Sequence, residues 1–249
     1  RYFNWLPKYS SKQQMNNKKF VLVIGSRPDS KLPNIVVEKV YSANGAAERA
    51  QKYFEFHGRK NFTAVCGSME FFKNEHVKKR VLNADPNLIF FRSGKVLNKN
   101  FNQISNKLNF VSKSRNEQIL FQAKYVKYGL LSIILAELTH EDGLIGNLKH
   151  LKKIFNQRGM LGVNTGFFSI LLASYENPDS LIICSGIGIK TVGKSFHPSS
   201  ATTKRAVIDK KIYEYLNSDI KKKLMTTDRE MSEYCNIPLI REVIWFLKI

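Results

Sequence analysis

Residues 62–94 read FTAVCGSMEFFKNEHVKKRVLNADPNLIFFRSG. Phe62 to Cys66 is a short apolar run that stops at Gly67-Ser68. Residues 69–82 then carry apolar positions at helical spacing, and Leu88 to Phe91 is a second apolar run that gives way to Ser93-Gly94. Short apolar runs bounded by small residues read as buried strands, and a helix between two of them reads as a crossover. The same grammar recurs on both sides. FVLVIG (20–25) ends in the turn-forming loop GSRPDSKLP; IVVEKVYSANG (35–45) ends in Asn-Gly and is followed by AERAQKYFEF (47–56) at helical spacing. The expectation is an α/β chain with a Rossmann-like, mostly parallel sheet under covering helices. Any ligand of such a sheet lies at the carboxyl ends of its strands.

A chain of 249 residues, 43% of them hydrophobic, is long enough to bury a full core. Residues 1–19 read as a polar tail or docking arm and residues 20–217 as the Rossmann-like domain, with a helical insert at about 96–150; residues 218–249 read as a C-terminal strand/helix appendage. Within the insert, residues 116–138 are helical in character, in two pieces that meet at Gly129, and serve either as plain core helices or as a lid over the sheet. Residues 204–216 and 241–249 are the last helix-like segments. The apolar runs are too short to cross a bilayer and no secretory leader pattern opens the chain. Three widely spaced cysteines, Cys66, Cys184 and Cys235, suit buried thiols in a reducing compartment rather than a metal site. The expected location is therefore cytoplasmic, peripheral on the inner membrane at most. The first residue is Arg1, which fits a piece of a longer polypeptide.

Forty Lys and Arg against twenty Asp and Glu give a formal charge of +20. Such a surface attracts nucleic acid, anionic lipid or acidic substrates. The basic clusters Lys78-Lys79-Arg80, Lys149 to Lys153 and Lys221-Lys222-Lys223 fall in different elements, and no nucleic-acid recognition signature accompanies them. An acidic small molecule or a lipid surface fits this scatter better than a specific duplex.

Residues 163–189, VNTGFFSILLASYENPDSLIICSGIGI, hold the sharpest local signal. An apolar helix opens on Asn164-Thr165-Gly166 and the next strand runs into Ser185-Gly186. These are ordinary punctuation, or they are places where bare backbone N–H groups meet a ligand. The dinucleotide pattern GxGxxG is absent after the first strand. The Walker pattern is met by Gly188 to Ser195, GIKTVGKS, but Phe196-His197-Pro198 follows where the P-loop helix must begin, and proline clashes in its first turns. Asp29, in the first loop, is a carboxylate of the kind a retaining transferase needs, or a turn cap. His57, His76, His140 and His150 read as surface or packing residues.

The segments FNQRGMLGVNTGFFSILLASYENPDSLIICSGIGIK and FHPSSATTKRAVIDKKIYEYL carry a family resemblance. With Gly25-Ser26-Arg27-Pro28 and Asn44, they resemble the bacterial CMP-sialic acid-dependent sialyltransferases of the Campylobacter lipo-oligosaccharide type. The likeness covers roughly half the chain in two blocks, and related Kdo transferases share the nucleotide-binding core. It implies a single-domain GT-A-like variant of the Rossmann fold, with a CMP-activated sugar as donor substrate and no other cofactor or metal. It further implies a glycan or glycolipid acceptor, while the scattered basic charge gives the expectation of peripheral contact with an anionic membrane and of no specific nucleic acid. By the same likeness Gly25, Ser26, Asn44, Asn164, Thr165, Gly166, Ser185, Gly186 and Lys194 bind the nucleotide. His197 is the implied base, and Arg158 stands on the acceptor side.

Three departures accompany the likeness. The first-loop asparagine of the family is Ser26, its third-strand asparagine is Gly67, and Lys194 stands in place of the tyrosine that assists phosphate departure. Glu141-Asp142-Gly143 and His197-Pro198 also resemble motifs of the two-domain sialyltransferases, which makes Asp142 a second candidate base beside an ordinary turn. Three function classes stay open at this point. They are a sialyltransferase-like CMP-sugar glycosyltransferase, a CMP-Kdo transferase module of a larger capsule or lipopolysaccharide enzyme, and a non-catalytic basic module for nucleic acid or membrane.

Overall fold

The computed structural model describes residues 18–27, 30–92, 108–139, 143–155, 162–189, 205–241 and 243–244. The strands, in chain order, are β1 (Phe20–Ile24), β2 (Leu32–Pro33), β3 (Lys39–Ala43), β4 (Asn61–Gly67), β5 (Leu88–Arg92), β6 (Phe110–Lys113), β7 (Leu181–Ser185), β8 (Leu224–Thr226) and β9 (Val243–Ile244). The helices are α1 (Ala47–His57), α2 (Ser68–Lys73), α3 (Glu75–Asn83), α4 (Arg115–Ala123), α5 (Leu130–Glu137), α6 (Leu144–Phe155), α7 (Thr165–Glu176), α8 (Arg205–Tyr215), α9 (Ser218–Lys221) and α10 (Arg229–Cys235).

Seven strands form one sheet in the order β6-β5-β4-β3-β1-β7-β8, and every pairing is parallel. This is the Rossmann-like α/β architecture that the strand-and-helix alternation implies. Because the sheet is covered on both faces, alternate residues of one strand enter different cores. Val21 and Val23 of β1, Tyr41 of β3, Val65 of β4, Phe90 of β5 and Ile182 and Cys184 of β7 pack with Phe167, Phe168 and Ile208 of α7 and α8. Leu22, Ile24, Val40, Phe62, Ala64 and Phe91 point the other way, to Ala50 and Tyr53 of α1 and Phe71 and Val77 of α2 and α3. Apolar runs without alternation are the consequence, since neither side of a central strand meets water.

Local chemistry sets the helix limits. Residues 69–82 divide at Asn74, whose Oδ1 accepts from His76 N (3.1 Å) and Val77 N (3.3 Å) and so restarts the helix as α3. Ser114 and Glu117 cap each other at the start of α4. The insert breaks where the sequence places a break: Gly129 takes φ +56° between α4 and α5, a conformation that favours glycine.

The C-terminal segment differs from expectation. The appendage expected from 218 onward supplies β8, whose Leu224, Met225 and Thr226 pair with Ile182, Ile183 and Cys184 of β7 as an edge strand of the main sheet. Within 241–249, expected to be helix-like, Val243 and Ile244 form β9, antiparallel to β2. Val and Ile are β-branched residues that suit an extended backbone. No helix of the described residues is long and apolar enough to cross a membrane.

Cys66, Cys184 and Cys235 are free thiols in the core. Burial raises all three, Cys235 to about 12 from an ordinary 9.0, and burial raises the Tyr53 phenol to about 12 from 10.0. These groups stay protonated in the folded chain while the unfolded chain ionises. Their contribution is therefore complete below about pH 9 and is lost as pH climbs toward about 12. The urea midpoint under reducing conditions is expected to stay level from pH 7 to 9 and fall steadily above about pH 9. A midpoint that holds to pH 11 contradicts this account of the core.

Candidate functional site

The direction of strand addition reverses between β1 and β7, so the carboxyl ends of those two strands mark the switch point of the sheet. Two groups of residues meet along this edge, and their roles differ.

The first group is a backbone seam. Gly25 N donates to Ser185 O (2.7 Å) and Arg27 N to Gly186 O (3.1 Å). A Cβ on Gly25 would overlap the Gly186 carbonyl, and one on Gly186, at φ +72°, would stand 2.5 Å from Ser30 Oγ. Glycine is required at both because the two loops touch through their main chains. Gly186 N donates to Asp228 Oδ2 (2.6 Å). Ser185 Oγ donates to Lys31 O (2.6 Å), which also accepts from Thr227 Oγ1 (2.7 Å). Gly25, Ser185 and Gly186 were expected to face a nucleotide; here their donors are spent on each other and on neighbouring loops. Ser185 is fully buried. Ser26 sits half-buried in the same loop.

Arg27, beside Ser26, pairs with Glu230 (2.7 Å). Arg49 of α1 donates to Arg27 O (2.8 Å), to Ser30 Oγ and to Ser30 O. These contacts hold the loop after β1 against α1 and α10.

The second group is a cradle one strand over, whose Asn44 and Thr165 are nearly buried, at 8% and 9% exposure. Asn44, directly after β3, takes φ +51°, and its Oδ1 accepts from Gly67 N at the end of β4 (2.9 Å). The point where a Gly67 Cβ would stand lies 3.8 Å from both Asn44 Oδ1 and Thr165 Oγ1. Three elements thus converge on a glycine that presents no side chain. With Oδ1 engaged, the Asn44 amide offers its Nδ2 as donor. Neither that nitrogen nor Thr165 Oγ1 has a hydrogen-bond partner among the described residues.

The end of α7 supplies the charge. Asn164 Oδ1 accepts from Phe167 N (2.9 Å) and Asn164 N donates to the buried Asp209 Oδ1 (2.8 Å), which fixes the helix start. Phe168 N already belongs to the helix ladder, bonded to Asn164 O (2.9 Å). The N–H groups of Thr165 and Gly166 precede any intrahelical partner and carry the positive end of the helix dipole. Gly166 is tight against Ile187: a Cβ there would lie 3.2 Å from its Cδ1. Asn44, Asn164, Thr165 and Gly166 are therefore brought together, with Gly67 as the floor.

A buried polar chain that sequence reasoning missed holds this helix end in place. Arg92 closes β5 in register with Gly67, and its guanidinium lies over the Phe168 ring, 4.5 Å from the centroid. Arg92 Nε donates to Gln118 Oε1 (3.1 Å), and Gln122 Nε2 donates to Gln118 O (2.9 Å). Gln122 Oε1 accepts from Val163 N (2.8 Å), while Glu137 Oε1 accepts from Gly162 N (2.7 Å). His150, expected as a surface or packing residue, completes the chain at 2.8 Å from Glu137 Oε2. Glu137 is wholly buried, and a buried carboxylate persists only when paired and hydrogen-bonded. The sequence signal was slight: Gln118 and Gln122 lie four apart on the face of α4 that also buries Phe121.

His197, Asp142, Lys194 and Arg158, with Asp29, lie outside the described residues. Among the described residues no three His, Cys, Asp or Glu side chains come together as a metal site. No family model, curated protein or solved structure matches the chain.

Seam and cradle separate in a stability measurement. Gly25→Ala is expected to cost ~2 kcal/mol or more, because backbone cannot move aside as a side-chain tip can. Gly67→Ala, whose methyl would meet Glu70, Asn44 and Thr165 at ordinary contact distance, is expected to shift stability by less than ~1 kcal/mol. Equal losses in urea unfolding would contradict the distinction.

Proposed function

We propose that the chain is a CMP-sugar-dependent, sialyltransferase-like glycosyltransferase that moves a 2-keto acid sugar onto a surface-glycan acceptor. The observation that carries this reading is the cradle at Gly67. It offers the Asn44 amide, the Thr165 hydroxyl and two bare N–H groups at the start of α7, on the ligand-binding edge of a parallel sheet. Short neutral donors beside a helix N-terminus suit a nucleoside monophosphate, whose ribose and base want hydrogen bonds and whose phosphate wants positive charge. The resemblance in residues 155–216 supplies the identity of the base as cytosine and of the transferred group as sialic acid or Kdo.

In this proposal the acceptor oxygen attacks the anomeric carbon while the bond from that carbon to the phosphate breaks. The electron pair stays on the CMP phosphate. The proton of the acceptor hydroxyl passes to His197, with Asp142 as the second candidate base. The N–H groups of Thr165 and Gly166, with Lys194, stabilise the charge on the departing phosphate. By the resemblance, Arg158 takes the acceptor-side role. Gly25, Ser185 and Gly186 act one step back, as the seam that holds the edge together.

Calorimetry with CMP, UMP, GMP and AMP at moderate salt tests the reading, because added salt screens nonspecific attraction to a +20 surface. Selective binding of CMP is expected. Asn44→Ala and Thr165→Val should each weaken it about tenfold, the worth of one good hydrogen bond to a ligand. Gly67→Ala should leave folding intact and lower affinity by filling the cradle floor. Weak binding of all four nucleotides that fades with salt would overturn the proposal. If CMP binds, transfer from CMP-sialic acid and from CMP-Kdo identifies the donor.

A further inference from the structure

The helical insert carries an apolar surface that the nucleotide reading does not use. In α5, Ser132, Ile133, Ala136 and Glu137 face inward. Leu130, Leu131, Ile134 and Leu135, at i, i+1, i+4 and i+5, occupy the opposite side of the same helix. Leu131 is 55% exposed, and Tyr128, Leu130 and Leu135 beside it are exposed as well. The outward side of α5 is thus the more apolar one, the reverse of a surface helix that turns its apolar stripe to the core. The neighbouring α6 repeats the pattern, with Leu148 exposed and Ile145 at 71% exposure. Single exposed aliphatic residues are ordinary, whereas this many on two adjoining helices mark an interaction surface.

The charges around these residues select the partner. Lys124 and Lys127 precede the α5 stripe and are exposed, as are Lys149 and Lys152 on α6. The acidic side chain of α5, Glu137, is turned inward to His150 and Gly162. A second copy of the chain packed isologously would bring these lysines toward their own symmetry mates. A nucleic acid would satisfy the lysines and press phosphates on leucines. An anionic bilayer satisfies both: leucines enter the boundary between headgroups and acyl chains, Tyr128 lies at headgroup depth, and lysines meet the negative surface. With only eight residues, Leu130–Glu137, α5 is far too short to span a bilayer and can only lie in its surface.

We infer that α5 and α6 form a membrane-surface docking face for anionic lipid, with leucines as the inserted part and Lys124, Lys127, Lys149 and Lys152 as the electrostatic part. The inference does not depend on the nucleotide reading and stands or falls separately from it.

Vesicle co-sedimentation tests it, using equimolar phosphatidylglycerol and phosphatidylcholine against phosphatidylcholine alone. The full chain is expected to sediment with the anionic vesicles and to stay in the supernatant with neutral ones. Leu131→Ser/Leu135→Ser, which alters exposed positions only, should lower the vesicle partition coefficient about tenfold or more. Lys124→Glu/Lys127→Glu should abolish sedimentation at moderate salt. The urea unfolding midpoint of each variant should match that of the unaltered chain, which shows that the fold is intact whether or not a nucleotide binds. Three results would overturn the inference. One is sedimentation that ignores lipid charge, another is a leucine variant that binds as well as the original. The third is a leucine variant that converts a dimer to a monomer in solution, which would assign the face to a second copy.

Discussion

The main-chain contact between Gly25 and Gly186 is the constraint on which the rest of the carboxyl-end sheet edge depends. Two loops that leave neighbouring parallel strands normally stand apart by the width of their side chains. Here glycine on both removes that width, and the Gly25 N to Ser185 O bond closes the gap. The loop after β1 then lies down over β7, where Lys31 O collects two hydroxyl donors, Ser185 and Thr227. Asp228 accepts from Gly186 N in the same knot. A sheet edge tied this way is rigid at the switch point, and rigidity next to a site is what lets small donors hold a ligand at fixed distance.

Around that knot, the polar chain from Arg92 to His150 performs a matching task on the other side of α7. Gly162 and Val163 lead into the helix, and their N–H groups are held by Glu137 and Gln122 from two different helices of the insert. Asp209 of α8 holds Asn164 N. Three successive backbone donors are thus fixed by three side chains, and the next two residues, Thr165 and Gly166, open the helix. The insert is connected to the site mechanically. Gln122 and Glu137 are the direct hydrogen-bond contacts between the insert and the residues that lead into α7.

Much of this was legible in the sequence, for reasons that are physical. Short continuous apolar runs rich in β-branched residues, such as FVLVI and LIICS, read as strands covered on both faces, and their stops at Gly, Ser or Asn mark the sheet edge. The start of α7 was legible too, because Asn-Thr-Gly before an apolar run is cap chemistry. What was not legible was the spending of donors. Nothing in Ser185-Gly186 tells that Lys31 and Asp228 will consume them, since those partners lie 154 and 42 residues away in the chain. β8 escaped because three residues, Leu224 to Thr226, are too few for a periodic signal, and Asp228 escaped with it. Gly67 read as the loss of a polar residue; in the fold it is the place where the absence of a side chain lets Asn44 and Thr165 share a space.

The central claim is that a ligand lies in the cradle and that the seam only supports it. Amide chemical-shift mapping on labelled protein titrated with CMP tests this most directly. The account predicts that the Gly67 and Gly166 amides and the Asn44 side-chain amide move first and furthest, while Gly25 and Gly186, locked to Ser185 and Asp228, move little. Shifts centred on Gly25 and Gly186, or spread over surface lysines with the cradle unmoved, would contradict it.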